Sequence, residues 1–349
     1  MGAAYAAFRL GTMHRSEITI DLGAIRHNAR RLLDALDGSE LWAVVKADGY
    51  GHGAVDVGRA ALEAGASVLC VAAVDEALEL RRSLPEARIL VMGPTDDVAT
   101  AREARLEITV VRGGEIPDGI PIHLKLDSGM GRWGLPELPE PTANVVGLMT
   151  HLATADSDQD FAAQQLARFA EATAPYAHLT RHAANSAAAL RIPDARFDAA
   201  RCGIALYGIS PFDTDPAEDG LRPALAWHSH LAQVRLLQPG EGTGYGRRFV
   251  AERPTWIGIV PVGYADGFRR DMTGTEVLVD GELRHVVGTV SMDAFAVELD
   301  RELVVGTPVT IVGDGLLIER HAAQAETIGY EIACGINSAP ERASRRTVL

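Results

Sequence analysis

Cysteine is scarce in this chain: Cys70, Cys202 and Cys334 are the whole complement of its 349 residues. They form no C-x-x-C pair and are odd in number, so neither a disulfide framework nor a zinc site is indicated, and a reducing, cytoplasmic compartment is expected. Long apolar runs are missing too. None reaches the roughly 18 residues of a membrane span, and the first dozen residues lack the basic start and long apolar stretch of a secretory signal. Positive charge is in deficit, with 33 Lys+Arg against 47 Asp+Glu and a net charge of -14. That balance argues against nucleic acid or a membrane surface as a partner, while leaving room for a local cationic site. The chain does have ample apolar content, 47% of residues, and enough length for two domains.

Residues 1–15 read as a leader without a clear ordering signal. An alternating strand at 17–21 and an amphipathic helix at 22–36 follow. Eight short apolar runs come next, at 41–45, 67–74, 88–92, 108–111, 122–126, 145–149, 178–182 and 201–207, with helix-like segments at 55–64, 75–83, 96–104 and 161–174. Strands alternating with helices imply a parallel sheet, and eight units point to a closed (β/α)8 TIM-type barrel over 16–230. The connection after the fifth run is weak because Pro136, Pro139 and Pro141 leave little room for a helix. A doubly wound open sheet is the competing architecture. From 231 to 349 the pattern changes to strands around one helical stretch at 321–328, with Asp280-Gly281 as a hairpin signal, and a mostly β C-terminal domain is expected.

Barrel enzymes carry their chemistry at the C-terminal ends of the strands. Here those ends hold Lys46 and Tyr50 in Ala-Val-Val-Lys-Ala-Asp-Gly-Tyr-Gly-His-Gly, then Lys125, Asp127 and Arg132, then His151, then Asn185 and Ser186, then Arg201, Gly203 and Ile204. A lysine on a rigid strand end, partly desolvated, suits a Schiff base. Ser186, Tyr50 and the amides near Gly203 and Ile204 suit a phosphate, so pyridoxal phosphate is the natural candidate. Each residue alone has a plainer reading: a strand-end histidine, a helix cap, a surface ion pair. Only their joint occurrence favours a site.

Taken together, these segments with Thr-His-Leu-Ala-Thr-Ala-Asp, Pro-Val-Gly-Tyr-Ala-Asp-Gly and Gly-Thr-Val-Ser-Met-Asp resemble the bacterial alanine racemases from about residue 15 to residue 330. The resemblance implies a two-base racemase of L- and D-alanine that supplies peptidoglycan synthesis, with Lys46 carrying pyridoxal 5'-phosphate and acting on one face of Cα. It implies Tyr264 as the base on the other face, reaching in from the partner of a homodimer, with Met292 and Asp293 lining the substrate pocket. Arg201 is expected at the pyridine nitrogen, Arg132 at the substrate carboxylate and the cofactor's phenolic oxygen, and Lys125 at a position that can be carbamylated. His151 is expected to link Tyr264 and Arg201.

Some features stand apart. Gly242 to Gly246 is read as a structural turn, and Asp156, Asp158 and Asp160 as helix-capping acids rather than a calcium loop. The arginines from 342 to 346 read as a short basic tail. Near the C-terminus Ser338 falls where the resemblance calls for an aromatic residue on the phosphate. That departure keeps open a serine or broad-specificity racemase, and behind it a cofactor carrier without turnover.

Overall fold

The computed structural model describes residues 14–349; most of the leader, 1–13, lies outside the described residues. In chain order the strands are β1 (Glu17–Asp21), β2 (Glu40–Val44), β3 (Val68–Val71), β4 (Ile89–Val91), β5 (Glu107–Val110), β6 (Ile122–Lys125), β7 (Val145–Met149), β8 (Thr180–His182) and β9 (Ala199–Cys202). They continue with β10 (Leu225–His230), β11 (Gln233–Leu237), β12 (Gly242–Thr243), β13 (Phe249–Val250), β14 (Thr255–Val260), β15 (Glu276–Val279), β16 (Glu282–Val287), β17 (Phe295–Leu299), β18 (Pro308–Val312) and β19 (Ser344–Val348).

Strands β2 to β9 form a closed barrel, all parallel, with β9 returning to β2 through Glu40 opposite Ala199 and Ala43 opposite Cys202. The open-sheet alternative therefore falls. Val68 to Val71 and Ile89 to Val91 are wholly buried, as expected where a parallel sheet is covered on both faces. Helix Leu22–Leu36 starts where the Asp21 side chain accepts from the Ala24 amide at 2.9 Å and ends at Asp37 with φ 50°, a conformation Asp tolerates. No helix forms between β6 and β7, where the prolines stand. Arg201 lies inside β9 instead of opening it, and residues 204–207 form a 3-10 turn.

The second unit is a nine-stranded sheet in the order β11-β14-β17-β16-β15-β18-β10-β1-β19. Asp280 and Gly281, with φ 54° and 77°, make the two-residue turn between β15 and β16, the positive-φ pair that a tight hairpin needs. The unit boundary differs from the expected one. Strand β1 pairs with β10, Ile18 opposite Trp227, and Trp227 Nε1 donates to Ser16 Oγ at 2.7 Å. Backbone pairing therefore puts residues 14–20 and 225–230 in the β unit, along with the rest of 225–327 and 335–347, while 21–224 and 328–334 form the barrel unit. The expected basic tail is also structured: β19 closes the sheet edge, and Arg342 is ion-paired with Asp266 and Asp293. Asp158 caps helix Gln159–Thr173 by accepting from the Phe161 amide at 3.0 Å.

Candidate active site

Lys46 follows β2 after the single residue Val45 and opens a left-handed turn in which Ala47, Asp48, Gly49, Tyr50 and Gly51 all have positive φ. For the three non-glycine residues this costs about 1 kcal/mol each. The turn is held by acids that accept from amides: Glu76 Oε1 from Ala47 at 2.7 Å, and Asp48 Oδ1 from Ala54 at 2.8 Å. Glu76 Oε2 also accepts from Ala72 at 2.7 Å, tying the lysine's turn to the end of β3. Burial lowers the Lys46 pKa, and the nearby Arg132 charge lowers it further.

Around Lys46 the strand ends enclose a cavity of about 410 Å³ lined by Tyr50, Lys125, Arg132, His151, Asn185, Ser186, Arg201, Gly203 and Ile204, together with Tyr330 and Cys334. Apart from Asp127, the barrel residues expected at the site face this one cavity. Lys125 is 4% exposed, and burial, followed by Arg201 and Arg132, pushes its pKa down to about 8. The Lys125 ammonium and the Arg132 guanidinium lie 5.9 and 5.5 Å from the Trp133 ring centre, within cation-π range. Asp127 is occupied elsewhere, accepting from the Gly129 and Gly131 amides at 3.0 and 3.1 Å. Burial drives His151 well below its ordinary pKa, and Arg201 and Lys125 add to the effect, so the ring is neutral.

Among the described residues no carboxylate pairs with Arg201. Its Nη1 donates to His182 Nδ1 and to the His182 carbonyl, both at 2.7 Å, and its Nη2 to the Thr150 and Ala183 carbonyls at 2.6 and 3.3 Å. No hydrogen bond runs from it to His151. Burial pulls its pKa down to about 10.

At the end of β9 Ser186 Oγ accepts from the amides of Gly203 and Ala205 at 3.0 and 3.3 Å. Its own proton is thus left to donate toward the cavity. Asn185 caps the short helix after β8 by accepting from Ala188 at 3.0 Å. A Cβ on Gly203 would lie 2.4 Å from the Tyr50 hydroxyl, so the missing side chain is what admits that phenol.

Tyr330 was missed in the sequence. It sits in helix Gly329–Gly335 and lines the cavity, its ring 6.1 Å from that of Tyr50. Ser338 is not among the residues that line the cavity. The signal available was Gly329-Tyr330-Glu331-Ile332, which can place a tyrosine on the inner face of a helix.

Tyr264, Met292 and Asp293 belong to the β unit and are not among the residues that line the cavity. The structure brings these three together. The amides of Tyr264 and Ala265 donate to the Ser291 and Met292 carbonyls, each at 3.0 Å. Asp266, its side chain fully buried, accepts from Gly263 at 2.8 Å and from Arg15 and Arg342 at 3.0 and 2.8 Å. Arg342 reaches on to Asp293 at 3.0 Å. Tyr264 is 46% exposed and Met292 52%.

A closed barrel whose mouth sets a desolvated lysine beside a cationic, tyrosine-lined cradle defines a barrel enzyme fitted to pyridoxal phosphate. Comparison with known proteins agrees and narrows the class. The chain matches the alanine racemase N-terminal domain family over residues 20–211 and the alanine racemase C-terminal domain family over 224–344. It is 40% identical to alanine racemase 1 of Bacillus subtilis and 41% identical to the alanine racemase of Geobacillus stearothermophilus, in each case over 91% of this chain and 90% of the relative. The structure of alanine racemase from Streptomyces coelicolor superposes with a TM-score of 0.87 at 37% identity, covering 96% of this chain and 98% of that one. The chain belongs to the alanine racemase family.

Proposed function

We propose that the chain interconverts L- and D-alanine with pyridoxal phosphate, the product serving peptidoglycan synthesis. The observation that carries this reading is the desolvated Lys46 in a cavity of cations that, among the described residues, have no paired carboxylate, beside the cradle of Tyr50, Ser186, Gly203 and Ile204. When bound, the cofactor supplies an electron sink that acidifies the Cα proton. The residues do the rest. Lys46, its pKa lowered, has a neutral amine fraction that can take a proton from one face of Cα, and Tyr264 exchanges a proton on the other. Arg201 donates to the ring nitrogen and, as a guanidinium, keeps its own proton. Arg132 binds the carboxylate, Tyr50 and Ser186 with the amides of Gly203 and Ile204 hold the phosphate, and Tyr330 adds a hydroxyl beside them. Asn185 keeps Ser186 in place, His151 stands as a neutral ring beside Arg201, and Met292 and Asp293 narrow the substrate pocket. The lowered pKa of Lys125 suits carbamylation, which needs a neutral amine, and the new charge would face Arg132.

Tyr264 and Met292, exposed on a loop pinned by Asp266, support a homodimer in which each β unit completes the partner's site. Three free cysteines are consistent with a reducing cytoplasm. Among the described residues no helix is long and apolar enough to cross a membrane. The serine or broad-specificity alternative rested in part on the missing aromatic residue, and Tyr330 at the cavity weakens that part; its other ground is that a methyl-sized pocket discriminates poorly by binding alone. A carrier without turnover has no use for Tyr264. Purified protein with added pyridoxal phosphate is expected to racemise alanine well ahead of serine. Bound cofactor without alanine turnover would defeat the reading.

A further inference from the structure

Below Arg201 a line of polar side chains runs through the barrel interior to its other end, and the reaction outlined above leaves it unused. Beyond the bond from Arg201 to His182 Nδ1, His182 Nε2 lies 2.9 Å from His123 Nδ1, and His123 Nε2 lies 2.9 Å from Glu107 Oε2. Arg88 then holds the two Glu107 oxygens at 2.9 and 3.2 Å. Both histidines are fully buried. A guanidinium has only protons to give, and a carboxylate has only lone pairs to offer. The two ends therefore leave one arrangement between them. His182 Nδ1 must be bare, so its proton is on Nε2 and goes to a bare His123 Nδ1. The His123 proton is then on Nε2 and goes to Glu107.

The barrel is built around this line. Trp42 packs on both rings, its centroid 5.6 Å from His123 and 4.4 Å from His182. Gly147 on β7 carries no side chain where a Cβ would lie 2.2 Å from His123 Nδ1. Burial keeps both rings neutral. Although burial opposes it, the hydrogen bonds from His123 and Arg88 hold the Glu107 pKa down to about 2.

We propose that Glu107 is a positioning residue: from the N-terminal end of the barrel it fixes, through His123 and His182, the only tautomer pair that lets Arg201 hold its place at the mouth. Without an acceptor at 107, the proton on His123 Nε2 is buried with no partner, and His123 can relieve that only by moving it to Nδ1. That proton then faces the one on His182, and a matching shift in His182 faces Arg201. Each reversal turns a hydrogen bond into a contact between two donors, so the fault travels to the active site with no residue there altered. The tautomer lock stands on geometry alone, and its catalytic consequence rests on the role of Arg201 proposed above.

The test is nitrogen-15 spectroscopy of the imidazoles in cofactor-free protein, with signals assigned through His123→Gln and His182→Gln. Wild type is expected to show both rings protonated on Nε2. Glu107→Gln, whose amide oxygen still accepts, keeps that pattern. Glu107→Leu loses it, and pyridoxal phosphate binding or kcat falls about tenfold with KM for alanine little changed. A wild-type His182 protonated on Nδ1 overturns the proposal, as do unchanged tautomers in Glu107→Leu. Should Glu107→Leu fail to fold, Glu107→Gln decides: retention of the tautomers supports the lock and their loss overturns it. If the tautomers behave as expected but pyridoxal phosphate gives wild type no visible absorbance band, the lock stands and the reading of the pocket falls.

Discussion

At the N-terminal end of the barrel Arg88 meets Glu107 through two hydrogen bonds, and Arg81 donates to the carbonyls of Pro85, Ala87, Ala104 and Arg105. At the C-terminal mouth Lys46, Lys125, Arg132 and Arg201 share one cavity, and among the described residues no carboxylate makes an ion pair with any of them. The nearby acids, Glu76 and Asp127, accept from backbone amides instead. One end is electrostatically satisfied and the other is not. Cations gathered without counter-ions destabilise the empty protein, and a phosphate and a carboxylate arriving together remove that cost. The mouth is organised for a ligand, the base for the fold.

The harshest way to break this comparison is to delete a group whose work is wholly at the mouth. Lys46→Ala is expected to abolish the visible band of bound cofactor and to cut alanine racemisation by at least about 10³-fold. Tyr264→Phe, with cofactor still bound, is expected to cost about 10² to 10⁴-fold, mainly in proton exchange on one face. Mixing the two inactive variants after dissociation sharpens the test. If each site takes Lys46 from one chain and Tyr264 from the other, random reassociation restores about a quarter of wild-type activity. No recovery would mean that each chain supplies both groups to its own site.

The parts of the molecule legible in the sequence are those in which one short stretch carries the meaning. Lys46 with its glycine turn, and the charged residues Lys125 and Arg201 at the ends of apolar runs, stand out because a buried strand does not carry such charges without a use. The barrel was legible from alternation, and the hairpin from Asp280-Gly281. What stayed hidden depends on partners far away along the chain. Strand β1 reads like the start of a barrel until it pairs with β10, more than 200 residues later. Tyr330 comes back to the barrel unit only after all but the last strand of the sheet have been laid down. Arg342 looked like tail charge because its partners, Asp266 and Asp293, are set by the sheet. Nothing in the sequence singles out His123; only the space left by Gly147 and the closeness of His182 show what it does.

A milder test works at the base. The Glu107 pKa is lowered to about 2 from an ordinary 4.5, so the folded carboxylate holds its proton less tightly than the unfolded one. The resulting stability is fully present above about pH 4.5 and disappears as pH falls through about 2; at neutral pH it is on the order of 3 kcal/mol. Glu107→Gln has nothing to titrate there. In acid denaturation monitored by circular dichroism, the gap between wild type and variant is expected to close as the pH drops through that window. A gap of constant size down to pH 2 would mean that the base draws no stability from this charge.

The mouth predicts the opposite sign, with a smaller effect. The folded pKa of Lys125 is about 8 against an ordinary 10.5, so the unfolded chain binds this proton more tightly, and the cost is fully present below pH 8. Between about 8 and 10.5 the stability of cofactor-free protein should rise with pH as that cost is relieved. Lys125→Met keeps most of the volume and removes the charge. In cofactor-free protein without bicarbonate it is expected to gain about 1 to 3 kcal/mol at pH 7 by urea denaturation, and the advantage should vanish above about pH 10.5. The same variant should racemise more slowly, because Arg132 loses the neighbour whose carbamate would hold it. A variant that is both less stable and unchanged in rate would place Lys125 with the satisfied charges of the base, and the contrast between the two ends would no longer explain the site.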